Sequence, residues 1–297
     1  MINTCRHTLQ ALLAFGADLS ARDEKGQSAL HKACTLGNPR LVRLLVKEAE
    51  GGRLPGGLAT LLHTTDDTGN SPLLVCVESG SRESAQVRRG RHHNSALSWQ
   101  VLLERGAEVN CSNENGVMPL HVACTVGSLQ IVEILIENKA AINCLTKNFQ
   151  TPLHLASANN KYKIVRFLLE NGAKLERRDK ESCTPLLVAA QQGREKSLVV
   201  LLDSGALTTV LNKEDKSAVY LATEQNNLEC LTILLSQPGI KNVIEVNDRY
   251  DNTPLHIACR EGFLSVALAL LNAGAQIDNK NEDEQELRDV ILSYYIL

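Results

Sequence analysis

Aromatic side chains are scarce: one Trp, four Phe and five Tyr, 3% of 297 residues. So few rings cannot fill one deep core, and they leave no interleaved stacking platform for single-stranded nucleic acid. Net charge is also nearly missing, at −3, so the whole-chain field offers nothing to a polyanion and no nucleic-acid partner is expected. No apolar run reaches the roughly 18–20 residues that span a bilayer. Residues 9–15 lack the small-residue cleavage site of a secretory signal, so the expected location is cytosolic. Nine cysteines are present, yet none stands in C-x-x-C or Cys/His zinc spacing. An odd count without a secretory signal argues for free, buried thiols rather than a disulfide framework. Gly51-Gly52 and Gly56-Gly57 are not followed by Gly-Lys-Ser/Thr, so a flexible insertion is expected rather than a phosphate cradle. Ser/His/Asp, Cys/His and paired-carboxylate arrangements do not rise above background. The expectation is a chain that is not an enzyme, with no catalytic, metal-binding or cofactor-binding residue and no small-molecule substrate.

What is present is a repeat. Residues 115–213 hold three back-to-back units of 33 residues. They open with Met118-Pro119-Leu120-His121, Thr151-Pro152-Leu153-His154 and Thr184-Pro185-Leu186-Leu187. Projected outward, the opening recurs from Ser28, Ser71, Met118, Thr151, Thr184, Ser217 and Thr253, with gaps of 43, 47, 33, 33, 33 and 36. A fixed period of this length signals a stacked array in which each unit packs on its neighbours. Ser or Thr before Pro supplies an N-cap with Pro in the first helical turn. Gly37, Gly80, Gly127, Gly193 and Gly262, with Asn160 and Asn226 in two units, are placed to end the first helix in the left-handed conformation. A second amphipathic helix follows and closes at Gly-Ala pairs, and a connector rich in Asp and Asn leads to the next unit. Ser217-Ala218-Val219-Tyr220 lacks both Pro and His, which predicts a less rigid helix start.

Thr151-Pro152-Leu153-His154-Leu155-Ala156 and Thr253-Pro254-Leu255-His256-Ile257-Ala258 resemble the hallmark of the ankyrin repeat. The resemblance covers residues 8–283. It implies an all-α repeat solenoid, each unit of about 33 residues carrying a helix-turn-helix and a β-hairpin. It also implies a hydrogen-bonding role for His31, His121, His154 and His256, tying helix starts to neighbouring loops. The expected division is a partial repeat at 1–24, then repeats at 25–67 (loop insertion), 68–114 (basic insertion), 115–147, 148–180, 181–213, 214–249 and 250–282, and a divergent or truncated tail at 283–297. The array starts and stops in mid-repeat. Divergent caps and a piece of a longer protein both fit, and the apolar Ile291, Leu292 and 294–297 favour the second.

Two insertions break the period. The one around 48–65 follows a second helix and reads as a loop. The other, between Gly80 and Leu102, holds Arg88-Arg89-Gly90-Arg91-His92-His93, a solvated basic loop, and predicts a distorted unit or a second helix lengthened around Trp99. Asn110-Cys111-Ser112 matches a glycosylation sequon that is incidental without a secretory route.

The resemblance further implies partner binding along the concave row of hairpin tips and first helices. The residues free to vary there give the candidate protein-binding set Phe149, Lys180, Glu181, Gln191, Gln192, Asp215, Glu224, Tyr250, Arg260 and Glu261. The expected function is a protein-binding scaffold or adaptor with a protein partner. The stretch 212–284 also resembles the cytosolic ankyrin array of transient receptor potential channels of the ankyrin subfamily. In that alternative the chain is a regulatory domain on the cytosolic side of a membrane, and the pore lies elsewhere. A regulatory subunit or substrate adaptor of an enzyme is a third possibility that no residue favours.

Overall fold

The computed structural model describes residues 11, 15, 17–53, 57–88, 97–279 and 281, with backbone alone at 52, 53, 81–88 and 242. Leu12, Leu13, Gly16, the cluster from Arg89 to His93 and the tail after residue 281 lie outside the described residues. The chain divides into two compact units, Met1–Lys147 and Asn148–Leu297.

In unit 1 the helices are α1 (Ala29–Thr35), α2 (Pro39–Glu48), α3 (Gly57–His63), α4 (Pro72–Arg88), α5 (Ser98–Glu104), α6 (Pro119–Val126) and α7 (Leu129–Glu137). The inner helices α1, α4 and α6 pack in sequence, and α2 lies against α5. Unit 2 repeats one pattern four times: α8 (Pro152–Ala158) with α9 (Tyr162–Glu170), α10 (Pro185–Gln191) with α11 (Glu195–Asp203), α12 (Ala218–Glu224) with α13 (Leu228–Leu235), and α14 (Pro254–Arg260) with α15 (Leu264–Asn272). Helices this short are marginal alone. Their stability comes from stacking, inner on inner and outer on outer. Ala33, Ala123, Ala156, Ala189, Ala222 and Ala258, all at one repeat offset, are fully buried. The small side chain lets adjacent inner helices approach closely.

The helix starts follow the expected chemistry. The Thr151 hydroxyl accepts the His154 backbone N–H at 3.4 Å, and His154 Nδ1 accepts the Thr151 backbone N–H at 3.1 Å. His154 Nε2 reaches the Cys183 carbonyl of the next connector at 3.0 Å. His31 makes the same contacts with Ser28 and with the Asn70 carbonyl, the latter at 2.9 Å. Each such cap contributes about 1 kcal/mol. Gly37, Gly127, Gly193, Gly262, Asn160 and Asn226 adopt positive φ at the ends of first helices.

Five sequence expectations are corrected. Gly80 does not end its helix. It lies inside α4, which runs on to Arg88 while the second helix α5 is only 7 residues long, so the first helix is the lengthened one. A Cβ on Gly80 would sit 3.0 Å from Trp99 Cδ1 and 3.0 Å from Ile131 Cδ1, and Trp99 is fully buried. Glycine is selected there for volume, not for backbone freedom. The 48–65 insertion is not all loop: it forms a π-helical turn, Ala49–Arg53, and α3, which buries Leu61 and Leu62.

The β-hairpins are turns rather than ladders. Among the described residues the one bridge recorded outside helices is Arg22 with Ser28. Cys34 and Cys76 are disulfide-bonded, Cα–Cα 4.6 Å, both fully buried between α1 and α4. Cys76 occupies the slot that is Ala in the other six units, so the pair arises from two neighbouring offsets, not from one recurring offset. Cys111, Cys124, Cys144, Cys183, Cys230 and Cys259 are free, and burial raises each thiol pKa, to about 12 at Cys144 and Cys183.

Last, the Tyr220 helix start is not left loose. Ser217 still accepts the Tyr220 N–H at 3.2 Å, and Tyr220 is buried with its hydroxyl on Asp248 Oδ2 at 2.6 Å.

Candidate protein-binding surface

Each connector projects as a finger, and one residue holds its shape. Five positions before the helix start stand Asp23, Asp66, Asn113, Thr146, Asp179, Asn212 and Asp248. Asp179 Oδ1 accepts the backbone N–H groups of Glu181 and Cys183, both at 2.9 Å. Asn212 does the same for Glu214 and Lys216, and Asp248 for Tyr250 and Asn252, at 2.9–3.0 Å. These Asx turns close the finger locally. Recurrence of Asp or Asn at one offset was the available sequence signal, and it passed as mere polarity.

Fingers are joined by single backbone bonds. In unit 1, Asp67 N–H reaches the Lys25 carbonyl at 3.1 Å and Glu114 N–H that of Thr68 at 3.2 Å. In unit 2, Lys180 N–H reaches the Asn148 carbonyl at 2.9 Å and Lys213 N–H that of Glu181 at 3.0 Å. The next step follows the three-residue extension that forms a 3-10 turn, Ile240–Asn242. Here Arg249 bonds the Glu214 carboxylate at 3.2 Å.

All ten sequence-chosen residues fall in unit 2. Phe149, Lys180, Glu181 and Asp215 are exposed on fingers, as is Tyr250. Gln192, Arg260 and Glu261 are exposed at inner-helix ends, where Gln191 and Glu224 are half-buried. Phe149 is 52% exposed and Tyr250 54%. Phe149 has φ +57°, at the finger position that is Gly26, Gly69 and Gly116 in unit 1. In unit 1 glycine is required, because a Cβ on Gly69 would lie 2.8 Å from the Glu114 backbone nitrogen. A bulky residue in the left-handed region costs about 1–2 kcal/mol, so Phe149 is held in a conformation its side chain disfavours. Arg249 lies over the Tyr250 ring at 5.5 Å.

A charged chain links part of the set. Lys216 Nζ binds Glu224 Oε1 at 2.7 Å and Glu214 Oε2 at 2.9 Å, while Arg249 holds the other Glu214 oxygen. Burial by itself would lower the Lys216 pKa, but the two carboxylates outweigh it and the net shift is upward. Glu214 is lowered, chiefly by its hydrogen bond from Lys216. Lys216, Glu214 and Arg249 thus brace Glu224 and Tyr250, a link that spacing alone did not reveal. Arg260 pairs with its neighbour Glu261 at 3.1 Å. Among the described residues no group of three or more His, Cys, Asp or Glu is arranged to hold a metal ion, and no helix is long and apolar enough to cross a membrane.

The family profile for ankyrin repeats (3 copies) matches residues 1–87, 89–179, 139–212 and 186–281. The chain belongs to the ankyrin-repeat family. Ankyrin stacks of this kind mediate protein–protein interaction. The chain is similar to the nuclear factor NF-kappa-B p105 subunit of Mus musculus, 32% identical over 133 residues, which is 40% of this chain and 14% of that protein. It is also similar to the B-cell lymphoma 3 protein homolog of Mus musculus, 31% identical over 147 residues, 44% of this chain and 33% of that protein. The p105 subunit of Gallus gallus is 27% identical over 140 residues, 42% of this chain and 14% of that protein. The matched stretch therefore spans a third or less of these relatives.

Proposed function

We propose that this ankyrin chain is a scaffold or adaptor that captures a protein partner on the finger and inner-helix face of unit 2. The observation that carries the reading is Phe149, more than half exposed and held at positive φ where unit 1 has glycine. A disfavoured backbone state at an exposed aromatic points to a role outside folding. Tyr250 supplies a second exposed ring braced by Arg249, and aromatic anchors dominate protein interfaces. One relative is by name a subunit, which fits a role within an assembly. Binding here needs no catalytic group, so the chain is read as a non-enzymatic module. No observation favours the channel-array alternative.

Photo-crosslinking tests the face. A crosslinker placed at 149 or 250 in the full chain is expected to trap the same protein, and one placed at Leu264 on α15 is not. Phe149→Gly is expected to relieve strain, raising stability by about 0.5–1 kcal/mol in urea unfolding, while reducing that crosslink from position 250. A product set identical at all three positions would sink the reading.

A further inference from the structure

The residue four before each helix start, whose N–H bonds the preceding finger at Asp67, Glu114, Lys147, Lys180 and Lys213, changes sign along the sequence. In unit 1 it is Glu24, Asp67 and Glu114, turning basic at Lys147. In unit 2 it is Lys180, Lys213 and Arg249, all exposed. The backbone bonds at this position are alike for either sign, as Glu114 to Thr68 and Lys180 to Asn148 show. The fold therefore does not dictate the charge, and the side chains are free for another purpose. Among the described residues neither Lys180 nor Lys213 is drawn into an ion pair, while Arg249 is fixed by Glu214 and the Tyr250 ring.

We propose that this row reads an extended acidic protein segment with carboxylates at every third residue. The inference rests on the finger face being the binding surface. Each finger is an out-and-back pass of chain, about two strand widths or ~10 Å, and a polyproline-II segment advances ~3.1 Å per residue with about three residues per turn, so every third side chain returns to one face. Carboxylates three residues apart thus meet successive cations at Lys180, Lys213 and Arg249. Acidic groups also stand on these fingers. Glu214 is neutralised by Lys216 and Arg249. Glu181 stands next to Lys180, and Asp215 and Asp251 two positions beyond Lys213 and Arg249. Those three repel a segment carrying unbroken negative charge, so spacing as well as sign is selected.

The test is fluorescence anisotropy of the full 297-residue chain with three labelled dodecapeptides: Asp-Ser-Gly repeated, the same composition with its Asp residues contiguous, and Lys-Ser-Gly repeated. The periodic acidic peptide is expected to bind most tightly, by about fivefold over the contiguous one, and the basic peptide not at all. Lys180→Glu with Lys213→Glu is expected to weaken it by about tenfold, and Lys163→Glu on the outer helix α9 to leave it unchanged. Equal binding of both acidic peptides, or equal loss in the Lys163 variant, overturns the proposal as unspecific charge attraction. If crosslinks from 149 and 250 trap a protein that the periodic peptide does not displace, the face stands and the acidic preference falls. If those positions trap nothing distinct from Leu264, both fall.

Discussion

The Tyr220 hydroxyl donates to Asp248 Oδ2 at 2.6 Å, carrying a hydrogen bond from an inner helix to the next finger. His31 and His154 make the corresponding reach to backbone carbonyls. A phenol is longer than an imidazole, so here the acceptor is the Asp side chain. Burial raises the Tyr220 pKa first, and the Asp248 charge adds to it, so the phenol stays a donor.

Tyr220→Phe is therefore expected to cost about 1–1.5 kcal/mol, read as a lower urea midpoint. It should also move Asp248 back toward its ordinary value. Burial raises that carboxyl, but the Tyr220 hydroxyl and the Tyr250 and Asn252 N–H groups outweigh it and hold it low. An unchanged midpoint would mean that the bond contributes nothing net.

Mild acid should destabilise unit 2 through His154. Burial lowers its pKa from 6.5, against the partial compensation of the Cys183 carbonyl. Nδ1 accepts the Thr151 N–H, so protonation there would set donor against donor. A folded pKa below the unfolded one gives stability present above 6.5 and lost as pH falls through the folded value. His31 is depressed in the same way, so unit 1 follows the same sign. The urea midpoint is expected to drop as pH falls below about 6.5. His154→Leu, which copies Leu187 of the next unit, should lower the unfolding free energy at neutral pH by about 1–2 kcal/mol and flatten its pH dependence.

Gly80→Ala sets two effects against each other. Helix propensity favours Ala by about 1 kcal/mol, but the new Cβ meets Trp99 and Ile131 at 3.0 Å. Overpacking of this kind costs about 1–3 kcal/mol, so net destabilisation is expected. Trp99 is the sole tryptophan and is buried, so its fluorescence reports unfolding of unit 1. A gain in stability would show that the slot relaxes.

Reduction should loosen the same unit. Breaking Cys34–Cys76 is expected to cost about 2–4 kcal/mol, seen as an earlier Trp99 transition in reducing buffer. Cys76→Ala, the residue of the other six units at that slot, should abolish the response to reductant. An intact mass that shows no oxidised pair would remove the bond from the account.

The helix starts were legible because their chemistry is local: Thr151, Pro152 and His154 act within four residues of one another. The misreadings came from contacts that cross units. Gly80 looked like a helix end because the sequence records a missing side chain without the Trp99 ring that excludes it. Tyr220 looked like a lost histidine because its partner, Asp248, lies one finger away. Cys34 shares its repeat offset with Cys124 and Cys259, while its partner Cys76 sits at the adjacent offset of the following helix. At the candidate surface the exposure of Phe149 and Tyr250 followed from register. The bracing of Glu224 by Lys216, and of Lys216 by Glu214, depends on side-chain reach that spacing does not encode.

The fingers of Asp179 and Asn212 are each closed by that residue, whose carboxylate or amide oxygen is satisfied before any neighbour arrives. The two residues that follow that Asp or Asn, Lys180-Glu181 in one finger and Lys213-Glu214 in the next, contribute only backbone to the closure. The side chains of Lys180, Glu181 and Lys213 are thereby uncoupled from closing the finger. Such positions behave as exchangeable cassettes, and a lineage, or a library, can rewrite them while the helices beneath stay the same.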